Sequence, residues 1–182
     1  MRKTNLQRQA EKLLTPLLDG HILAIDPSSG SRDSMPGYAV FRAGLLVDSG
    51  LIQVQQGREL NRKLFSIGET LRNQFEVPDV LVVEHIPPFM RGSGFSKSIV
   101  ILQRAIGMII GSIDRPLLEV PPITWHKLAP LNYQKTDEKD AIMIGYAAIW
   151  TACKMRGEEP PELPAKVFEA GSVGLKGGVS DS

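Results

Sequence analysis

The sequence predicts an α/β protein with a mixed five-stranded sheet that is covered by helices on both faces. Two short, continuously apolar runs at residues 22–25 and 80–83 are typical of strands that are buried on both sides. The runs at residues 37–41 and 45–54 are separated by a short, glycine-containing connection, which favours an antiparallel hairpin. Segments with helical periodicity separate the later strands, as crossover connections between parallel strands require.

The elements follow one another with short connections and without internal repeats. Residues 58–76 illustrate the helical signal, because their leucine, isoleucine and phenylalanine residues lie on one stripe of a helix. The predicted elements are a helical lead-in at residues 1–19, strands at 22–25, 37–41 and 45–54, a helix at 58–76, a strand at 80–83, a helix at 95–113, a strand at 117–120, a short helix at 121–128 and a final helix at 137–155.

Three regions are expected along the chain. Residues 1–20 form a helical extension that caps the domain, contributes to a dimer or packs on its own domain. Residues 21–156 form one α/β domain, a length that supports a single core. Residues 157–182 are rich in proline, glycine, glutamate and serine, and we expect much of this tail to be mobile.

The composition is that of an ordinary globular protein, with 182 residues, 42% apolar and 23% charged residues, and a net charge of +1. This charge argues against binding of polyanions by bulk charge, although a local basic face remains possible. The single cysteine, Cys153, excludes an internal disulfide and favours a reducing, cytoplasmic setting. The N-terminus lacks the pattern of a secretory signal, and the apolar run at residues 99–113 is too short for a membrane span.

Carboxylates stand at the ends of two predicted core strands. Asp26 follows the run at residues 22–25, and Glu84 follows the run at residues 80–83. A buried carboxylate without a partner is costly, so these side chains must meet cations or water. Sites in sheets of this kind form where strand ends open into a crevice. We therefore expect Asp26 and Glu84 to belong to one site.

Two further carboxylates, Asp137 and Asp140, lie three residues apart at the start of the last predicted helix and share one face of it. Four converging carboxylates repel one another, and a hard divalent cation relieves that repulsion. Oxygen ligands suit Mg²⁺, with Mn²⁺ as a possible substitute, and the three scattered histidines offer no zinc cluster. Two such ions about 4 Å apart can promote phosphodiester hydrolysis.

Each of these acids also has a structural alternative. Asp26 precedes good turn-forming residues, and Glu84 precedes a loop. Asp137 is a natural helix N-cap, and Asp140 can simply face solvent. Glu138 replaces Asp137 as the site residue if the helix is rotated. The order and context of the four acids are more specific than any one of them.

At this point the sequence resembles the RuvC-type Holliday-junction resolvases of the ribonuclease H-like superfamily, especially their compact phage versions. The resemblance covers roughly residues 21–153. The position of Glu84 at a strand end, rather than on the first long helix, favours a resolvase over a ribonuclease H. The matching segments are 22–29 (ILAIDPSS), 37–40 (GYAV), 82–84 (VVE), 102–107 (LQRAIG) and 137–141 (DEKDA).

The resemblance implies a homodimer that cuts two opposed strands of a four-way DNA junction. It implies that Asp26, Glu84, Asp137 and Asp140 are catalytic and bind the metal. Two departures stand out. Residues 30–36 form an insertion after the first motif, and the stretch before the last acids is shorter than in bacterial resolvases, which place helpful lysines there.

Residues expected to contact the substrate lie near the predicted metal site. Phe89 is the nearest match to the aromatic residue that acts at the junction centre in the resembled family, although it can instead pack the loop onto the body. Arg91 and Lys97 can hold phosphates. Lys127 and Lys135 are the substitutes for the family's lysines, or plain surface lysines. Trp125 is interpreted as a core residue rather than a base-stacking one.

These observations predict a structure-selective endodeoxyribonuclease for Holliday junctions. The alternatives are a related nuclease for other branched DNA or for RNA–DNA hybrids, and a domain of the same fold that binds DNA or a partner without cutting. Four retained carboxylates argue against the non-cutting alternative.

Overall fold

The computed structural model describes residues 3–27, 35–54, 60–86, 97–131 and 133–168. The side chains of residues 60, 97 and 98 lie outside the description. The elements are α1 (Asn5–Glu11), α2 (Leu14–Leu18), β1 (His21–Asp26), β2 (Gly37–Arg42), β3 (Leu45–Leu51), α3 (Leu60–Gln74), β4 (Val80–Glu84), α4 (Lys97–Ser112), β5 (Leu117–Val120), α5 (Pro122–His126), α6 (Asp137–Arg156) and a 3₁₀ turn (Ala165–Val167).

The described strands form one mixed sheet in the order β3-β2-β1-β4-β5. β2 pairs antiparallel with both β1 and β3, whereas β4 is parallel to both β1 and β5. The α/β fold with a mixed five-stranded sheet that the sequence predicts is therefore confirmed. The parallel half places the carboxyl ends of β1, β4 and β5 at one edge of the sheet.

The hairpin between β2 and β3 turns through Ala43 and Gly44. Both residues have positive φ, at 48° and 77°, and Arg42 pairs with Leu45 across the turn. Two consecutive positive φ values are typical of the tight turn that matches the twist of antiparallel strands. The strand predicted to reach residue 54 ends at Leu51, because pairing with β2 stops where β2 begins, at Gly37.

Alternate strand residues face two separate cores. Ala24, Phe41 and Val82 face α6, whereas Leu23 and Val83 face α3 and α4. Gly145 allows α6 to lie close to the sheet, because a Cβ there would stand 2.3 Å from Phe41 and 2.9 Å from Ala24. Helices thus cover both faces, as predicted. No helix among the described residues has the length and apolar character needed to cross a membrane.

The N-terminal segment forms two helices rather than one. Thr4 caps α1 with Gln7 in a reciprocal pair of hydrogen bonds, and the chain breaks before α2. Pro16 accounts for the break, since proline lacks the N–H that would continue the helical ladder and its ring crowds the preceding turn. Both helices pack against α6, with Ala10 and Leu17 fully buried. The domain boundaries at residues 20 and 156 stay predictions.

The segment after α6 returns over the domain as far as Phe168. Gly157 ends α6 in the left-handed conformation, with φ of 74°. The hydroxyl of Tyr146 donates to the carbonyl of Pro161 at 2.9 Å, and Val167 is buried. The segment therefore packs on the same core as α6. Residues 169–182, the rest of the tail expected to be mobile, lie outside the described residues.

Candidate active site

Asp26 and Glu84 end neighbouring parallel strands and point to the same face of the sheet. β1 and β4 are in register with Ile25 beside Val83, so Asp26 and Glu84 follow side by side. Because strand side chains alternate, both carboxylates lie on the face of Ala24, which is the face that α6 covers. Asp26 is only 8% exposed. These two residues therefore end their strands side by side at one sheet edge, and their shared role in one site stays a prediction.

Gly37 brings the start of α6 onto this edge. Gly37 is paired with Asp26 across β1 and β2, and a Cβ on Gly37 would lie 1.8 Å from the backbone oxygen of Asp137. Only a residue without a side chain leaves room for the helix backbone at this point. The first turn of α6 therefore lies directly beside Asp26, at the edge where β1 and β4 end.

Asp140 is buried at this junction, with 2% exposure. Its Oδ1 accepts a 2.5 Å hydrogen bond from the hydroxyl of Tyr133, and its Oδ2 lies 3.4 Å from the Nζ of Lys135. Burial and the neighbouring acids raise the pKa of Tyr133 far above its usual range, so the phenol remains a proton donor. The alternative that Asp140 merely faces solvent is wrong.

Thr136, rather than Asp137, caps α6. The Thr136 hydroxyl accepts from the backbone N–H of Lys139 at 3.2 Å, and Asp137 is the first helical residue. Desolvation and then the charge of Asp140 raise the pKa of Asp137, while Lys135 and Lys63 oppose the shift. The N-cap interpretation of Asp137 is therefore wrong, and its role as a site residue stays a prediction.

Glu138 turns away from the other acids. Its carboxylate lies 2.6 Å from the Nζ of Lys166 and accepts a 2.9 Å hydrogen bond from the hydroxyl of Ser49. Although partial burial opposes it, these contacts to Lys166 and Ser49 lower the pKa of Glu138. Glu138 therefore ties the start of α6 to β3 and to the C-terminal segment. The helix is not rotated in the way that would put Glu138 in place of Asp137.

Glu84 contacts the indole of Trp125. The Nε1 of Trp125 donates to Oε1 of Glu84 at 3.3 Å, and the Trp125 side chain is 1% exposed, as expected of a core residue. Desolvation raises the pKa of Glu84 and Asp140 adds to the shift, whereas the indole and Lys135 oppose it. A carboxylate in this setting benefits strongly from an added positive charge.

Lys135 is a cation beside Asp140 that also lies in the field of Asp26 and Glu84. Partial burial lowers the pKa of Lys135, but Asp140, Asp26 and Glu84 outweigh that effect and raise the pKa above its usual value. The same ammonium lies 6.0 Å from the centroid of the Trp125 ring. Of the two lysines considered from the sequence, Lys135 is therefore the one in the electrostatic field of the carboxylates.

The other expected substrate contacts have different outcomes. Lys127 is exposed at the end of α5, where it lines a shallow surface cavity with Trp150 and not with the acids. Lys97 begins α4, but its side chain is outside the described residues. Phe89 and Arg91 also lie outside the described residues. Their proposed contacts with DNA stay predictions.

The residues present fit a hard divalent cation by donor type. Asp26, Glu84, Asp137 and Asp140 offer only carboxylate oxygens, which Mg²⁺ and Mn²⁺ prefer. Within the described parts of the chain, no three acidic, histidine or cysteine side chains stand close enough together to hold an ion. The backbone brings these acids to one edge of the sheet, and a metal site formed by their side chains stays a prediction.

Sequence reasoning did not identify Tyr133 and Lys63 as residues near the acids of α6. Tyr133 stands in the connection after α5, and Lys63 is a buried lysine on α3. A lysine buried in an otherwise amphipathic helix is the one local signal that points to a partner. Nothing local marks Tyr133, because its partner Asp140 is reached through the turn that starts α6.

Comparison with known proteins gives a likeness in fold. No protein-family model matches the chain, and no curated protein matches its sequence. The structure "T. thermophilus RuvC in complex with Holliday junction substrate" matches with a TM-score of 0.55 and 14% identity, over 78% of this chain and 99% of that one. "Thermus thermophilus RuvC structure" matches with a TM-score of 0.46 and 15% identity, over the same shares. The match with a TM-score of 0.55 shows that the chain has a RuvC-like, ribonuclease H-like fold.

Proposed function

We propose that this chain is a structure-selective endodeoxyribonuclease that resolves four-way DNA junctions, with Asp26, Glu84, Asp137 and Asp140 as its metal-binding catalytic acids. The observation that carries the proposal is that Asp26 and Glu84 end adjacent parallel strands in register, with the first turn of α6 and its buried Asp140 packed beside them. The RuvC-like fold supports the choice of substrate, since the matching structure was solved with a Holliday junction.

The acids account for the need for cations. Burial raises the pKa of both Glu84 and Asp137, which means that the site disfavours their charged forms unless positive charge is nearby. Bound Mg²⁺ or Mn²⁺ would supply Lewis-acid activation of water and would neutralise charge on the leaving oxygen. The four carboxylates would hold such cations at the edge of the sheet where β1 and β4 end.

Among the described residues, Lys135 is well placed to contact the backbone of the DNA at this site. Its side chain is 68% exposed, yet its ammonium reaches the buried Asp140. A lysine between buried acids and solvent can contact a phosphate while remaining near the carboxylates. Phe89, Arg91, Lys97 and Lys127 extend the proposed contacts, with Phe89 acting at the junction centre.

The proposal includes a homodimer and a cytoplasmic location. Two opposed strands of a four-way junction require two active sites, which a dimer supplies. Gel filtration with light scattering tests this on the free protein and on the junction complex. A monomer that persists with junction bound contradicts paired cutting.

Cleavage of synthetic substrates tests the function. Four-way junction, flap, linear duplex and RNA–DNA hybrid are incubated with the protein in Mg²⁺, in Mn²⁺ and in EDTA. We expect paired nicks in the four-way junction, with loss of cutting in EDTA. Faster cutting of the flap or of the hybrid supports the corresponding related nuclease, and tight junction binding without cutting supports the non-cutting alternative.

Isosteric variants test the site. Asp26→Asn, Glu84→Gln and Asp140→Asn should each abolish detectable cleavage while leaving junction binding in place. Asp114→Asn is the matched control, because Asp114 is exposed and precedes β5, at the opposite end of the strands. If Glu84→Gln and Asp140→Asn cut as wild type does, the assigned site is wrong even where the activity is found.

A further inference from the structure

We propose that Trp125 and Tyr133 form an aromatic bracket that orients Glu84 and Asp140 for cation binding. The inference rests on the proposed function, because it concerns the same carboxylates. It adds two positioning residues that act through the acids and that do not touch the substrate. The bracket is made by α5 and by the connection that leads into α6.

The Trp125 half of the bracket is held by the core. The indole is 1% exposed, and its ring stacks on the His126 ring with centroids 3.8 Å apart. Its Nε1 donates to Oε1 of Glu84 at 3.3 Å, and the two residues are 41 positions apart in the chain. A buried indole N–H needs an acceptor. Here the acceptor is a site carboxylate, so a rigid side chain fixes one oxygen of Glu84.

The Tyr133 half acts on Asp140 in the same manner. Its hydroxyl donates to Oδ1 at 2.5 Å, a short hydrogen bond of the kind made to a charged acceptor. The Tyr133 ring meets the Trp125 ring edge to face, with centroids 6.5 Å apart. The two donors therefore support one another, and the positions of both acids are coupled through this ring contact.

Each donor occupies one oxygen of its carboxylate and orients the other. The Nζ of Lys135 lies 3.4 Å from Oδ2 of Asp140, which marks the side of Asp140 where positive charge is accommodated. Hydrogen bonds to ligating groups fix their orientation, and their loss typically weakens metal affinity or activity by about 10- to 100-fold. The bracket is expected to have an effect of this size.

The direct test is Tyr133→Phe, which removes one hydroxyl and keeps the ring. Tyr146→Phe is the matched control, because it also removes a hydroxyl that donates a hydrogen bond, at 2.9 Å, but to the backbone of Pro161 and not to an acid. Binding of Mn²⁺ alone to the full chain is measured by the electron paramagnetic resonance signal of free Mn²⁺. We expect Tyr133→Phe to weaken Mn²⁺ binding about 10- to 100-fold and Tyr146→Phe to leave it unchanged.

Trp125→Phe gives a second, independent arm. Trp150→Phe is its control, since Trp150 is a half-buried indole near the other end of α6, beside Lys154. We expect Trp125→Phe to weaken Mn²⁺ binding and Trp150→Phe to leave it unchanged. Thermal unfolding is recorded for every variant, and if Trp125→Phe does not fold, Tyr133→Phe carries the test.

A kinetic comparison separates positioning from general damage. For junction cleavage, Tyr133→Phe should raise the Mn²⁺ concentration needed for half-maximal rate and lower kcat, with little change in KM for the junction, and high Mn²⁺ should restore part of the rate. If the wild type cuts junctions and Tyr133→Phe binds Mn²⁺ with wild-type affinity, the bracket is overturned and the proposed function stands. Absence of Mn²⁺ binding by the wild type overturns both.

Discussion

Replacement of Gly37 by alanine should separate the acids of α6 from those of the strands. A Cβ at this position would lie 1.8 Å from the carbonyl oxygen of Asp137, 2.2 Å from its carbonyl carbon and 2.7 Å from the backbone nitrogen of Glu138. All three atoms belong to the helix backbone. They cannot rotate away as a flexible side chain would, so the first turn of α6 has to retreat from β2.

The size of the effect follows from these distances. Real contacts of Cβ atoms lie at 3.0 Å or more, so the helix start has to move by more than about 1 Å. Overpacking of this kind costs about 1–3 kcal/mol of stability. A misplacement of about 1 Å between reacting groups costs on the order of 100-fold in rate. We expect both losses in Gly37→Ala.

The assay pairs single-turnover cleavage of a four-way junction with thermal unfolding. Gly107→Ala and Gly111→Ala are the controls, because both glycines lie on α4 and a Cβ on either one meets no atom within 4 Å. In a helix, this substitution should stabilise the protein by about 0.5–1 kcal/mol. Wild-type cleavage and an unchanged melting temperature in Gly37→Ala would refute the close approach of α6 to β2 that the site depends on.

Two further predictions concern charge, one at Glu84 and one at the pair of Lys166 and Glu138. Glu84→Gln should raise the melting temperature at neutral pH, because burial penalises the charged form of Glu84. The gain should disappear as the pH falls below the raised pKa of Glu84, since protonation removes the penalty. Exposed Glu69→Gln is the control, and an equal gain for Glu84→Gln at neutral and at acidic pH contradicts the reasoning. Lys166→Met should lower stability by about 0.2–1 kcal/mol at low salt, since its pair with Glu138 is partly exposed. Chemical denaturation measures this, and an unchanged free energy of unfolding at low salt refutes it.

Much of the fold could be predicted because its signals are local. The apolar runs that form β1 and β4 mark strands buried on both faces, and the sheet confirms them. The Ala43-Gly44 turn and the long helix α6 have equally local signals in composition and periodicity. The N-terminal segment was predicted less well, because one proline inside a leucine-rich pattern divides it into two short helices.

The assignment of the acids shows where local reasoning ends. Asp137 and Thr136 are adjacent and both are good N-caps, so the sequence does not choose between them. The structure chooses Thr136, since Gly37 brings the helix backbone against β2 and thereby fixes the rotation of α6. The same rotation turns Glu138 toward Lys166 and buries Asp140.

The sequence by itself determined the order of strands and helices and the presence of carboxylates at two strand ends and at the start of a helix. Only the tertiary structure decided what surrounds those carboxylates. Trp125 reaches Glu84 across 41 residues, and Ser49 reaches Glu138 across 89. Such partners are set by how sheet and helices pack, and no period along the chain encodes them. Packing likewise places Lys135 beside Asp140 and Lys127 in a surface cavity with Trp150, although both are lysines near the start of α6 in the sequence.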